Sequence, residues 1–300
     1  MIDAFVEALR FSFMRNALAA GVLVSIACGI VGTFVVIKRI VFISGGIAHA
    51  AYGGIGLGYY VKYSLLPLLF TGSTAAQDHR PGSWPLVGAV LFSLLAAVIM
   101  GLIQRRTRQR ADTVIGVLWA IGMAVGIVFV DLSQGYKVDL MSYLFGSILA
   151  VERVELVIIL VLDVVIVALT ALFYKELLAI SFDETFATVE NVPVDAIYIG
   201  LLCLIALTVV MMMRVVGLIM VIAMLTMPAA IAVRFVRDMK QMMVGAIFLG
   251  MLFTVVGLWL SYVWNLTSGA SIILVSGTAY LISLIGPLLW RRRRAHESLT

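Results

Sequence analysis

Residues 215–235 read VVGLIMVIAMLTMPAAIAVRF, a run long and apolar enough to cross a bilayer, interrupted by Pro228, Ala229 and Ala230. Small residues in such a run suit close packing against a neighbouring helix more than simple anchoring. The stretch is one of many. Hydrophobic residues make up 63% of the 300-residue chain and charged ones 12%, and the mean hydropathy is +1.14. A water-soluble domain of this composition would expose too much apolar surface to stay in solution. Backbone in lipid must satisfy its own hydrogen bonds, so each run reads as a helix and the chain as an all-α polytopic membrane protein.

Runs of roughly 20 apolar residues occur at 16–37, 43–62, 85–103, 113–131, 154–174, 194–213, 215–234, 241–262 and 271–290. Short connections and Gly or Pro interruptions leave eight or nine spans open. Orientation follows from the basic residues. With the C-terminus in the cytoplasm, that side receives Lys38, Arg39, Arg105, Arg106, Arg108, Arg110, Lys175, Arg234, Arg237, Lys240 and Arg291 to Arg294, which is 14 of the 21 basic residues. The reverse arrangement leaves only the other seven there, so an external N-terminus is expected. The basic pI near 9.3 then reflects membrane topology and implies no nucleic-acid partner; Arg291 to Arg294 read as an anchor near anionic lipid headgroups.

The N-terminal MIDAFVEALRFSF lacks the basic start of a signal peptide and reads as an amphipathic surface helix. Cys28 and Cys203 fall in separate spans, where cysteine behaves as a small core hydrophobe more often than as a metal or disulfide pair. Two polar segments stand out, 71–84 on the external side and 175–193 on the cytoplasmic side. In the second, Ser181 or Asp183 can cap exposed backbone N–H groups while Asp183 and Glu184 suit the start of a helix. A short helix beneath the membrane there, followed by Pro193 at the next span, would serve as a handle for a soluble partner; the alternative is an ordinary solvated loop.

Five segments taken together resemble the permease subunit of ATP-binding-cassette importers for zinc, manganese and iron: KRIVFISGGIAHAAYGGIGLGY (38–59), DLMSYLFGSILAV (139–151), ISFDETFATVENVPV (180–194), VVGLIMVIAMLTMPAAIAVR (215–234) and SGASIILVSGTAYLIS (268–283). The resemblance implies a type II importer-like permease formed by residues 1–300 as a single transmembrane domain, multi-pass in the inner or plasma membrane. It further implies a homodimer, a cytoplasmic ATPase and an extracellular metal-binding protein as partners, with membrane lipid around the complex. The cargo would be a divalent metal ion, with no cofactor bound permanently. Residues 181–193 resemble the coupling segment that docks the ATPase, with Ser181, Asp183, Glu184, Ala187 and Asn191 at its positions, and Glu184 expected as a contact charge. No phosphate loop of the form G-x-x-x-x-G-K-[ST] occurs in the chain, so ATP hydrolysis would belong to a separate subunit.

The chain departs from the family pattern at several places. Gly45 stands where relatives carry an Asp four residues before the histidine, Asn265 and Thr267 stand for Asp and Pro, and Asn191 for Gly. His49 is then the candidate metal residue of the second span: an ionisable group in a membrane helix is a functional candidate by default, and neutral imidazole suits borderline metals. Its alternative is a hydrogen bond between helices. Asp163, in ILVLDVVIVAL, could supply a metal carboxylate, pair with a basic group, or face water. Met220, Met224 and Met227 share a helix face, as soft copper ligands or, more commonly, as packing residues. An ATPase-independent secondary metal transporter or channel is the alternative function, opposed by the absence of detectable repeat symmetry and by the coupling-like segment. An intramembrane enzyme finds no catalytic motif such as G-x-S-x-G or H-E-x-x-H.

Overall fold

The computed structural model describes residues 10–66, 84–107, 111–133 and 146–297. The N-terminal surface helix, the polar segment 71–84 and most of 139–151 lie wholly or largely outside them. Helices follow in the order α1 (Ser12–Ile37), α2 (Val41–Tyr60), α3 (Trp84–Arg106), α4 (Ala111–Leu132), α5 (Arg153–Leu172), α6 (Tyr174–Phe182), α7 (Glu184–Val189), α8 (Val194–Val216), α9 (Leu218–Phe235), α10 (Met239–Trp264) and α11 (Ser268–Glu297). Among the described residues nine helices are long and apolar enough to cross a membrane, α1 to α5 and α8 to α11. They match the nine apolar runs one for one.

The span containing α2 has the lowest mean hydropathy of the nine and the largest buried share, whereas α5 has the highest and is mostly exposed. That inversion suits lipid as solvent. Val154, Val157, Leu160, Val161 and Val164 line the outside of α5, a continuous apolar surface that water would not tolerate and acyl chains would cover.

The helices divide into two compact units. The first holds residues 1–36, 147–163 and 219–300. In it α1 lies so close to α9 and α10 that a Cβ on Gly32 would come 2.0 Å from the Leu225 carbonyl oxygen. Hydroxyls turn back onto their own helix, as Ser25 does to Gly21 at 2.6 Å and Thr33 to Gly29 at 2.7 Å, which satisfies them without water. Ala229 is fully buried, and Met220 and Met224 are too, while Ser276 donates to Met227 Sδ at 3.2 Å. The methionine face is packing.

The second unit holds residues 37–146 and 164–218, with α2 packed on both α3 and α4. Its glycines permit backbone contact: a Cβ on Gly56 would lie 2.2 Å from the Gly126 carbonyl oxygen, and one on Gly54 2.1 Å from that of Gly88. Backbone cannot retreat as a flexible side chain can. Gly56→Leu is therefore expected to abolish recovery of a monodisperse permease from detergent, read by size-exclusion chromatography; a wild-type profile would refute the packing. Gly217, at φ 82°, ends α8. Its amide nitrogen approaches Gly146, itself at φ 57°, so closely that a Cβ on Gly146 would lie 2.2 Å away.

Candidate docking segment and ion-pathway residues

Residues 174–193 form two short helices. Asp183 adopts extended backbone between α6 and α7, and its Oδ1 accepts from the amides of Thr185 at 2.8 Å and Phe186 at 3.0 Å. Asp183 is thus the N-cap foreseen from sequence. Ser181, the other candidate, instead donates to the Leu177 carbonyl at 2.6 Å within α6. Ala187 is fully buried, and its carbonyl accepts from the Val192 amide at 3.0 Å to close the segment. Asn191 sits at φ 58°, a left-handed conformation that glycine adopts freely and asparagine tolerates best among other residues, which accounts for its standing in place of glycine. Asn265, at φ 51°, ends α10 in the same way.

The segment turns large apolar side chains outward: Phe182 is 65% exposed, Phe186 57% and Val189 74%. Exposed apolar side chains on two successive short helices form a candidate interaction surface. Their register was hidden in sequence by the extended residue Asp183, which breaks helical periodicity between Phe182 and Phe186.

Glu184, by contrast, is engaged within the chain. Lys38 donates to its Oε1 and to the Ile180 carbonyl at 2.7 Å, and Arg105 Nη1 donates to Oε2 at 2.8 Å. Arg105 Nε also stands 3.2 Å from Asp195 Oδ1. Both cations lie over the ring of Tyr198, with Lys38 Nζ at 5.5 Å and Arg105 Cζ at 4.7 Å from its centroid, and the Tyr198 hydroxyl donates to Gln104 Oε1 at 2.5 Å. Burial alone pushes Glu184 upward. The hydrogen bond and charge of Lys38, with those of Arg105, outweigh it and hold the carboxyl below its ordinary value. A carboxylate depressed in the folded state contributes stability that is complete above the ordinary glutamate range and lost as pH falls through the lowered value, so the clamp is intact at neutral pH. Sequence reasoning counted Lys38 and Arg105 for topology and passed over Tyr198 and Gln104.

His49 is buried in α2. Its Nδ1–H donates to the Gly45 carbonyl at 2.8 Å, which leaves the Nε2 lone pair as the ring's acceptor. The imidazole stacks on Trp119 of α4 with centroids 3.8 Å apart, and on Tyr52 at 6.4 Å. The missing carboxylate at Gly45 is thus replaced by a backbone oxygen that orients the ring. Asp163 is buried in the first unit, with neither carboxylate oxygen hydrogen-bonded among the described residues. Cys28 and Cys203 are free thiols. No group of three or more His, Cys, Asp or Glu side chains suited to one metal ion occurs among the described residues.

Nine apolar spans among the described residues define a polytopic all-α membrane protein. The chain belongs to the ABC 3 transport family, whose sequence pattern matches residues 10–286. An uncharacterised membrane protein of Synechocystis sp. is 56% identical over 95% of this chain and 94% of its own length. The manganese transport system membrane protein MntC of Halalkalibacterium halodurans is 30% identical over 98% of this chain and 96% of its own. Among solved structures, PsaBC from Streptococcus pneumoniae in complex with Fab superposes with a TM-score of 0.77 at 31% identity, covering 94% of this chain and 95% of that one. An ABC transporter in an inward-facing conformation, at 16% identity and a TM-score of 0.67, shares the fold.

Proposed function

We propose that the chain is the permease of an ATP-driven importer of divalent transition-metal ions, with manganese as its principal cargo. The observation that carries this reading is a relative named for manganese transport that aligns along 98% of the chain. Residues 1–300 act as one permease domain, and two copies form a homodimer around the pathway. A separate cytoplasmic ATPase docks on Phe182, Phe186 and Val189, and an extracellular metal-binding protein delivers the ion at the opposite face. The ion is cargo. His49 Nε2 offers it a borderline ligand, and Asp163 offers a carboxylate of the kind manganese prefers.

The reading puts the C-terminus in the cytoplasm of a plasma-membrane protein. It is supported by the basic residues, 14 of 21 of which that orientation sends to the cytoplasm; Lys38, Arg105 and Glu184, which meet in the fold, share one side in either orientation. Thr107, exposed after α3, and Thr74, outside the described residues, provide the test. In a background of Cys28→Ala and Cys203→Ala, an impermeant thiol reagent should label Thr74→Cys and spare Thr107→Cys in intact cells. The opposite labelling would invert the topology. For the cargo, uptake of labelled manganese by the reconstituted complex should outpace that of zinc and iron; faster uptake of either would reassign it.

A further inference from the structure

We propose that Lys38, Arg105 and Glu184 form the strut that carries movement of the docking segment into the helices around His49. This inference rests on the reading of 181–193 as the ATPase docking segment. Glu184 is the first residue of α7, and its two carboxylate oxygens are taken by cations from two different places in the fold. Lys38 lies in the turn that enters α2, the helix of His49, whereas Arg105 lies in the last turn of α3. The Lys38 side chain is only 8% exposed and that of Arg105 21%. Burying a cation is costly unless it is paired, so neither placement is expected of residues that merely bias topology.

Charge-assisted hydrogen bonds resist both stretching and rotation more than apolar contacts do, and a carboxylate held on both oxygens is fixed in orientation. Displacing α7 therefore pulls on the foot of α2 and the end of α3 together. Those two helices touch backbone to backbone at Gly54 and Gly88, so neither can slide without the other. His49 follows the start of α2 by eight residues, about 12 Å along the axis, within the same rigid element. Tyr198, beneath both cations, ties the strut to α8.

The test measures ions transported per ATP hydrolysed by the complete reconstituted complex. A merely structural role would change the yield of complex and leave that ratio alone. Glu184→Gln keeps an acceptor but not the charge; the carboxylate is itself 41% exposed, but its loss leaves the enclosed Lys38, 8% exposed, without that partner, and the ratio should fall about tenfold, while the ATPase still co-purifies. Adding Lys38→Met to Glu184→Gln should lower it no further, because both changes break the same link. Arg105→Gln leaves the Lys38 bond intact to secure folding, and should give an intermediate fall. An unchanged ratio in Glu184→Gln or Arg105→Gln, or losses that multiply in the double variant, would overturn the strut. Failure of the unaltered permease to bind the ATPase would instead overturn the docking reading, so the two failures are distinct.

Discussion

Phe186→Asp should release the ATPase from the permease while leaving the permease folded in the membrane. Phe186 is 57% exposed on a segment fixed from beneath by Ala187, the Asp183 cap and the Glu184 clamp, so its side chain contributes little to the fold. Burying a phenylalanine against a partner is worth roughly 1.5–3 kcal/mol. At about 1.4 kcal/mol per factor of ten, its loss alone weakens docking by roughly ten- to a hundredfold. The new carboxylate adds the cost of desolvating a charge in an apolar groove. Co-purification of the two subunits should fall accordingly and metal uptake with it, at unchanged permease yield. Wild-type recovery of the ATPase would remove this face from the docking surface.

His49→Ala should lower manganese uptake at least about tenfold, as losing a ligand or its oriented support commonly does, with the amount of assembled complex preserved. The imidazole is held by the Gly45 carbonyl and by the Trp119 ring, so truncation leaves a small void beside Trp119, and a loss of packing must be separated from loss of a ligand. His49→Phe makes that separation. It keeps a planar ring beside Trp119 but has no lone pair to offer an ion, and should transport as poorly as His49→Ala. If His49→Phe restored uptake, the histidine would be a packing residue and the ion would travel without it.

The spans were legible because lipid imposes one rule on every residue that crosses it, and the apolar runs predict the observed helices to within a few residues. The Asp183 cap was legible for the same local reason: a short acceptor side chain before a helix needs no distant partner. The Lys38–Glu184 and Arg105–Glu184 pairs were not, since their members stand 146 and 79 residues apart and nothing in local spacing joins them. The break between the runs 194–213 and 215–234 was legible but falls three residues later, at Gly217 with φ 82°, because Arg214 stays helical in the last turn of α8. Gly45 shows the opposite lesson. As a residue type it signals only a lost carboxylate, yet its backbone oxygen orients His49, a role that side-chain reading cannot reveal.

The most direct measurement is uptake of radiolabelled manganese into vesicles holding the purified permease with and without its ATPase. The account predicts accumulation only when the ATPase and hydrolysable ATP are both present on the side of Arg105 and the docking segment. Equal uptake by the permease alone, driven by an ion gradient or by the manganese gradient itself, would contradict it and leave a secondary transporter or channel in its place.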